Sequence, residues 1–219
     1  MKKIIFIVII IAILICSVCY IEFNVYKLCN NKRESEKTLK IAYNLLEDNK
    51  KIENSQNLEK TSENNNIQVI NNFENDIQEN IILQNEIIGI LKIPKLNIEA
   101  PIKEGTTQEV MKTSVGHFIE SDYWNGNVSL ASHNGGTNAH YFKNINILSK
   151  DDEIIYITKL GKKTYKIQNI CKIKSTDWSM VNKIENINKN VENTITLITC
   201  INGQQNYRLC VRGVEVKES

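Results

Sequence analysis

The chain has 219 residues and a formal net charge of +2, room for one domain with accessories or at most two small domains. That near-balance of charge excludes any strong case for nucleic-acid binding or for an acidic tail. All nine glycines, both prolines and all three histidines lie at or after Gly89, so the chain before that point lacks the usual turn punctuation. The compact domain is therefore placed at 86–219, with strand signals running to Val216, long enough to bury a core.

Met1, Lys2 and Lys3 (1–3) precede an uncharged, isoleucine-rich run over 4–21, whose eighteen residues sit at the short end of what crosses a bilayer as a helix. A cleavable signal peptide is the main competitor, but no small-x-small site closes the run. Ile15 and Val18, which precede Cys16 and Cys19, are not the small residues of a lipidation site. An uncleaved anchor is the preferred reading. Lys2 and Lys3 favour an inside N-terminus, whereas Lys27, Lys32 and Arg33 lie just past the run, so charge counting leaves the topology open.

From 22 to 85 the chain is rich in Asn, Glu, Lys and Gln. Leu39, Ala42, Leu45 and Leu46 recur at helical spacing, as do Phe73, Ile77 and Ile81, which predicts two helices joined by a polar segment over 53–66. This region reads as a stalk that holds the domain off the membrane, its last helix packing on the domain. Among the six cysteines only Cys16 and Cys19 have CxxC spacing, inside the apolar run and with no second pair. Neither a zinc site nor a disulfide framework is supported.

Beyond Ile87 the signals change to strands. Ile87 to Ile93 is apolar and closed by Pro94, and Ile98, Ala100 and Ile102 alternate with other residues. Asn127 to Asn134 reads as a strand ending near His133, before the Gly135-Gly136 break. Glu153 to Leu160 and Lys163 to Ile173 predict a hairpin about Gly161, with Tyr165, Ile167, Cys171 and Ile173 on one apolar face and Cys171 a small core residue. Short helices are expected at Thr107–Lys112 and His140–Ile147. The Asp151-Asp152-Glu153 cluster reads as the hairpin lead-in, not a metal site. Many short strands with few helices indicate a mainly β fold, a closed or nearly closed β-barrel.

A β-rich run, Thr194 to Thr199, delivers Cys200 at its end. The Asn202-Gly203 turn then leads into a second run carrying Arg208. With His133 these form a complementary set: a thiolate to attack a carbonyl, an imidazolium to protonate a leaving amine, a guanidinium to stabilise an oxyanion. Spacing alone leaves each residue open to a plainer reading, as core cysteine, structural histidine or solvated arginine. His117 reads as a loop residue and His140 as surface or capping.

TLITC at Thr196–Cys200, followed by Arg208-Leu209, resembles the signature of sortases, the cysteine transpeptidases of Gram-positive cell envelopes. ASHN at Ala131–Asn134 resembles their histidine motif, Ile87 to Thr107 their opening strands, and Val115-Gly116-His117-Phe118 the segment that follows. The resemblance covers the compact domain. It implies a closed barrel of about eight strands, with Cys200 as nucleophile, His133 and Arg208 as its catalytic partners, and Thr199 as support for the oxyanion or substrate. No metal or other cofactor is implied. The implied partners are an LPxTG-like sorting-signal peptide of secreted proteins, an amine acceptor from a cell-wall precursor or a pilin, and the membrane, with the catalytic domain outside. Three departures stand out: Ser132 where the family usually has Gly, a short connection from Cys200 to Arg208, and Cys210 in place of an aliphatic residue. Strand parity sets Cys210 on the face of Arg208, as filler or, remotely, as a redox partner of Cys200.

The long first strand pair, the short connection after Cys200 and a chain that stops at its last strand resemble class D. Asn134 also occurs in class B, which would insert a helix where 175–191 lies. A cysteine peptidase acting on cell-wall peptides and a non-catalytic anchored adaptor are the alternatives.

Overall fold

A computed structural model of the chain describes residues 2–55, 87–136, 138–182 and 192–216. The N-terminal segment is a single helix, α1 (Lys2–Ser55), of 54 residues, which at 1.5 Å per residue is about 80 Å long. It is the one described helix long and apolar enough to cross a membrane, and its apolar side chains from Ile5 to Ile21 are exposed, as a lipid-facing surface requires. The anchor and the first expected stalk helix are thus continuous, because nothing in this stretch breaks a helix. The second expected helix, around Phe73 to Ile81, lies outside the described residues.

The described part of the expected stalk does not stand clear of the domain. Asn31, Ser35, Thr38 and Ala42 are buried at helical spacing on one face of α1, which packs on strands β1 (Ile87–Ile93) and β2 (Ile98–Glu104). Tyr43 adds a ring face 5.1 Å from the Lys92 Nζ, a cation–π contact. The stripe escaped the apolar-periodicity reading because three of its four members are polar.

The barrel continues with β3 (Val115–His117), β4 (Asn127–Ala131), β5 (Glu153–Thr158), β6 (Gly161–Lys174), β7 (Thr194–Ile201) and β8 (Gln204–Glu215). Strand order is β1-β2-β3-β4-β7-β8-β6-β5, closed by β5 on β1, with β2–β3 and β4–β7 parallel and the other pairs antiparallel. The expected closed eight-strand barrel is present. At the seam, a side chain on Gly89 would run into the Ile157 carbonyl, so only glycine lets β1 approach β5 this closely.

Leu91, Ile102, Leu130, Tyr156, Tyr165 and Leu197 sit in the interior, all fully buried. The β5–β6 turn is Lys159-Leu160, with Gly161 the first residue of β6. A bulge between Ile167 and Asn169 corrects the expectation of one shared face on β6. One extra residue reverses the alternation, so Tyr165, Ile167 and Ile170 face the core while Ile173 joins a second apolar cluster outside it. Cys171 is accordingly only half-buried, not a core residue.

Val115–His117, read as loop, is a strand, and His117 is buried against the Glu104 carboxylate, the Ser121 hydroxyl and the Asp122 carbonyl. The helices expected at Thr107–Lys112 and His140–Ile147 are single 3₁₀ turns, Val110–Lys112 and Ile145–Ile147. Asp152 receives hydrogen bonds from Lys95 and from Ser149 at the entry to β5. The described part of 175–191, Ser175 to Asn182, contains only turns; the remainder of that segment lies outside the described residues.

Candidate active site

The parallel pairing of β4 with β7 sets Ala131 beside Ile198, so the chain leaving β4 runs along the end of β7. Two hydrogen bonds fix that exit. The Thr199 hydroxyl donates to the Ser132 carbonyl at 2.8 Å, and the Asn134 amide donates to the Cys200 carbonyl at 2.6 Å. His133 lies between these two ties.

Cys200 is exposed near the end of β7, and its register partner on β8 is Arg208. The short connection makes this pairing possible only through an irregularity. Ile201 pairs with Gln204, so an unbroken ladder would set Gln205 opposite Cys200; instead Gln205, Asn206 and Tyr207 have no partner on β7, and Tyr207 pairs with Lys174 across the other edge of β8. The Arg208 guanidinium donates to the carbonyls of Gln205 and Tyr207, at 2.8 Å each. The Asn206 carbonyl accepts from the Ser175 amide at 2.9 Å, which ties this segment to the β6–β7 connection.

His133, Cys200, Arg208 and Thr199 all line one groove of about 360 Å³. All four residues singled out in the sequence converge there. The floor is the second apolar cluster, Phe118, Ala131, Val181 and Ile198, flanked by Met111 and Ile173. Trp178 forms an exposed edge, its ring 6.0 Å from that of Phe118 at 69°. These apolar positions were not legible as site residues, because each looks like ordinary core in isolation.

One buried polar residue holds the wall in place. Asn127 is fully buried, and its Nδ2 points at the carbonyls of Met180 and Asn182, 3.0 and 3.1 Å away. Its Oδ1 accepts from the hydroxyls of Thr194 and Thr196. Ser129 donates to the Val181 carbonyl at 2.9 Å. An apolar residue at 127 would leave these buried groups unpaired. The polar residues inside the NVS strand were the signal available in the sequence.

The electrostatics of the groove favour a neutral imidazole. Burial, and secondarily the nearby His140, hold the pKa of His133 below the usual histidine value. The His133 Nε2 is buried and has no hydrogen-bond partner among the described residues. The Ser132 hydroxyl is likewise buried without one among them, at the position where glycine was expected. The Thr199 hydroxyl is engaged by Ser132, so its visible role is to join β7 to the segment bearing His133.

Comparison with known proteins agrees with this architecture. A sequence model of the sortase domain matches residues 91–216, more than half of the chain. Sortase D of Bacillus subtilis (strain 168) is 34% identical over 95 residues, covering 42% of this chain and 46% of that protein. The chain therefore spans about half the length of this curated relative. Among solved structures, a Clostridium perfringens sortase D5 transpeptidase superposes with a TM-score of 0.54 at 25% identity, over 81% of this chain and 99% of that one. Sortase C1 from Streptococcus agalactiae gives a TM-score of 0.52 at 26% identity, over 62% of this chain and 70% of that one. Sortase A from Corynebacterium diphtheriae, at 20% identity and a TM-score of 0.55 over 90% and 94% of the two chains, shares the fold. This chain belongs to the sortase family.

Proposed function

We propose that the chain is a membrane-anchored cysteine transpeptidase that cleaves an LPxTG-like sorting signal and transfers the acyl group to an amine. The reading rests above all on one relationship: Cys200 sits opposite Arg208, with His133 lining the same groove. In the forward step the Cys200 thiolate attacks the carbonyl carbon of the scissile peptide bond. The C–N bond breaks as the His133 imidazolium protonates the departing amine, which leaves a thioester on Cys200. An incoming amine then attacks the thioester, gives its proton to His133 and releases the Cys200 sulfur.

Burial of His133 works against its charged form, so substrate binding must help to draw the imidazolium into play. The guanidinium of Arg208 must exchange at least one of its two carbonyl contacts for the developing oxyanion. Thr199 acts through position, by keeping the His133 segment in register with Cys200. The apolar floor suits the aliphatic residues of a sorting signal.

The anchor is read as spanning 4–21, with the linking segment over 22–85 and the catalytic domain over 86–219 outside the cell membrane. The acceptor is an amine of a cell-wall precursor or of a pilin. Identity to a sortase D supports the class D subclass. A cleavage assay on the full chain in detergent, with LPxTG-like peptides and varied amine acceptors, tests the proposal. Acceptor-dependent ligated product is expected. Hydrolysis that no amine diverts would instead favour a cysteine peptidase.

A further inference from the structure

The expectation that Cys210 could partner Cys200 fails on geometry, and the same geometry supplies a different partner. Cys210 pairs with Ile198 across β7–β8, two rungs away from the Cys200–Arg208 rung. A diagonal neighbour of that kind lies about 7–8 Å away, beyond the reach of an unstrained disulfide. Across the other edge of β8, Cys210 is the direct register partner of Cys171 on β6. Directly opposed residues of an antiparallel pair have Cα atoms about 4.5–5.5 Å apart, inside the range that a disulfide spans. As direct register partners, their side chains share a face of the sheet.

We propose that Cys171 and Cys210 are a reversible dithiol–disulfide pair in the sheet beside the groove, poised to lock β6 onto β8 next to Arg208. Two rungs on, Ile173 pairs with Arg208, so the bond would fix both the apolar flank of the groove and the strand that carries the guanidinium. The β6 bulge makes this possible. Without the reversal after Ile167, Cys171 would face the barrel interior and could not meet Cys210.

The two thiols are unequal, which orders the steps. Cys210 is buried, and burial, with Cys171 next to it, pushes its pKa up to about 12; Cys171 is half-buried. A small disulfide oxidant such as oxidised glutathione meets Cys171 first. The Cys171 thiolate attacks one oxidant sulfur, forming a mixed disulfide and releasing one reduced thiol. The Cys210 sulfur then attacks the Cys171 sulfur, its proton passes to the leaving thiolate, and the second reduced thiol departs. Two cysteine thiols are oxidised, and one oxidant disulfide is reduced. The chemistry is independent of that proposed for Cys200.

The test treats the full chain in detergent micelles with oxidised glutathione, then maps non-reduced peptides by mass spectrometry. A peptide pair joined through Cys171 and Cys210 is expected, two hydrogens lighter than its parts. A melting temperature several degrees higher, returned by dithiothreitol, should accompany it. Cys200, being exposed, takes up glutathione and reports that the oxidant acted. Cys171→Ser, which leaves buried Cys210 in place, should show neither the linked peptide nor the melting shift. Free thiols at both positions after Cys200 has reacted would overturn the proposal, as would a peptide joining either cysteine to Cys200.

Discussion

Cys200 faces Arg208 across β7 and β8 because Gln205, Asn206 and Tyr207 are left without partners on β7. That register shift compensates for a connection of only two residues, Asn202-Gly203, between the strands. It also supplies the Gln205 and Tyr207 carbonyls that hold the guanidinium. A guanidinium held on the rung of Cys200 is the feature from which the first expectation follows.

Arg208→Ala should lower turnover by about 100- to 1000-fold, the range for loss of one oxyanion donor, with melting behaviour close to that of the parent. Arg208→Lys should recover little, because an ammonium cannot reproduce the planar fork. Steady-state kinetics on both variants, paired with thermal melts, check this.

His133 titrates below the usual histidine value, chiefly through burial and secondarily through His140. Replacing His140 with Asn should raise the His133 titration midpoint only part of the way, since burial remains; histidine ring-proton NMR measures it. The sign for stability follows. Folding favours the neutral ring, so this contribution is complete above the unfolded histidine pKa of about 6.5 and fades as pH falls through the lower folded value. His133→Gln should therefore flatten the loss of melting temperature on acidification from pH ~7.

Asn134 donates to the carbonyl of Cys200 at 2.6 Å and so joins the His133 segment to the strand that carries Cys200. Asn134→Ala should reduce kcat/KM by about tenfold, roughly the worth of one hydrogen bond. Asn134→Asp, which has no donor at neutral pH, should fall at least as far. Both should melt near the parent, as this residue is only partly buried.

The packing of α1 on the barrel is tested at Ala42, which is 1% exposed. Ala42→Phe should destabilise the chain by about 1–3 kcal/mol through overpacking, and hydrogen exchange should quicken in β1 and β2. The same substitution at Lys40, an exposed position, should do neither.

Much of this architecture could be read from residues alone, and the misses share a cause. The strands over Ile87–Ile93, Ile98–Glu104 and Asn127–Ala131 announced themselves by alternation and by the breaks after them, and the convergence of His133, Cys200 and Arg208 followed from the family motifs. The errors arose where packing or a local irregularity overrode the periodic pattern. The bulge after Ile167 moved Cys171 and Ile173 to the other face, which no period-two reading can anticipate. Asn31, Ser35 and Thr38 form a packed stripe that hydrophobic periodicity does not see. Phe118, Val181 and Ile198 became a groove floor only once the barrel had closed.

The central claim is that Cys200 forms a thioester with a sorting-signal peptide. Its most direct test is the intact mass of the full chain, taken at low pH soon after mixing with an LPxTG-like peptide. The expected result is an adduct equal to the peptide's N-terminal part through threonine, less one water, located on Cys200, released by hydroxylamine and absent in Cys200→Ala. Cleavage or transfer of the peptide by Cys200→Ala would contradict the account.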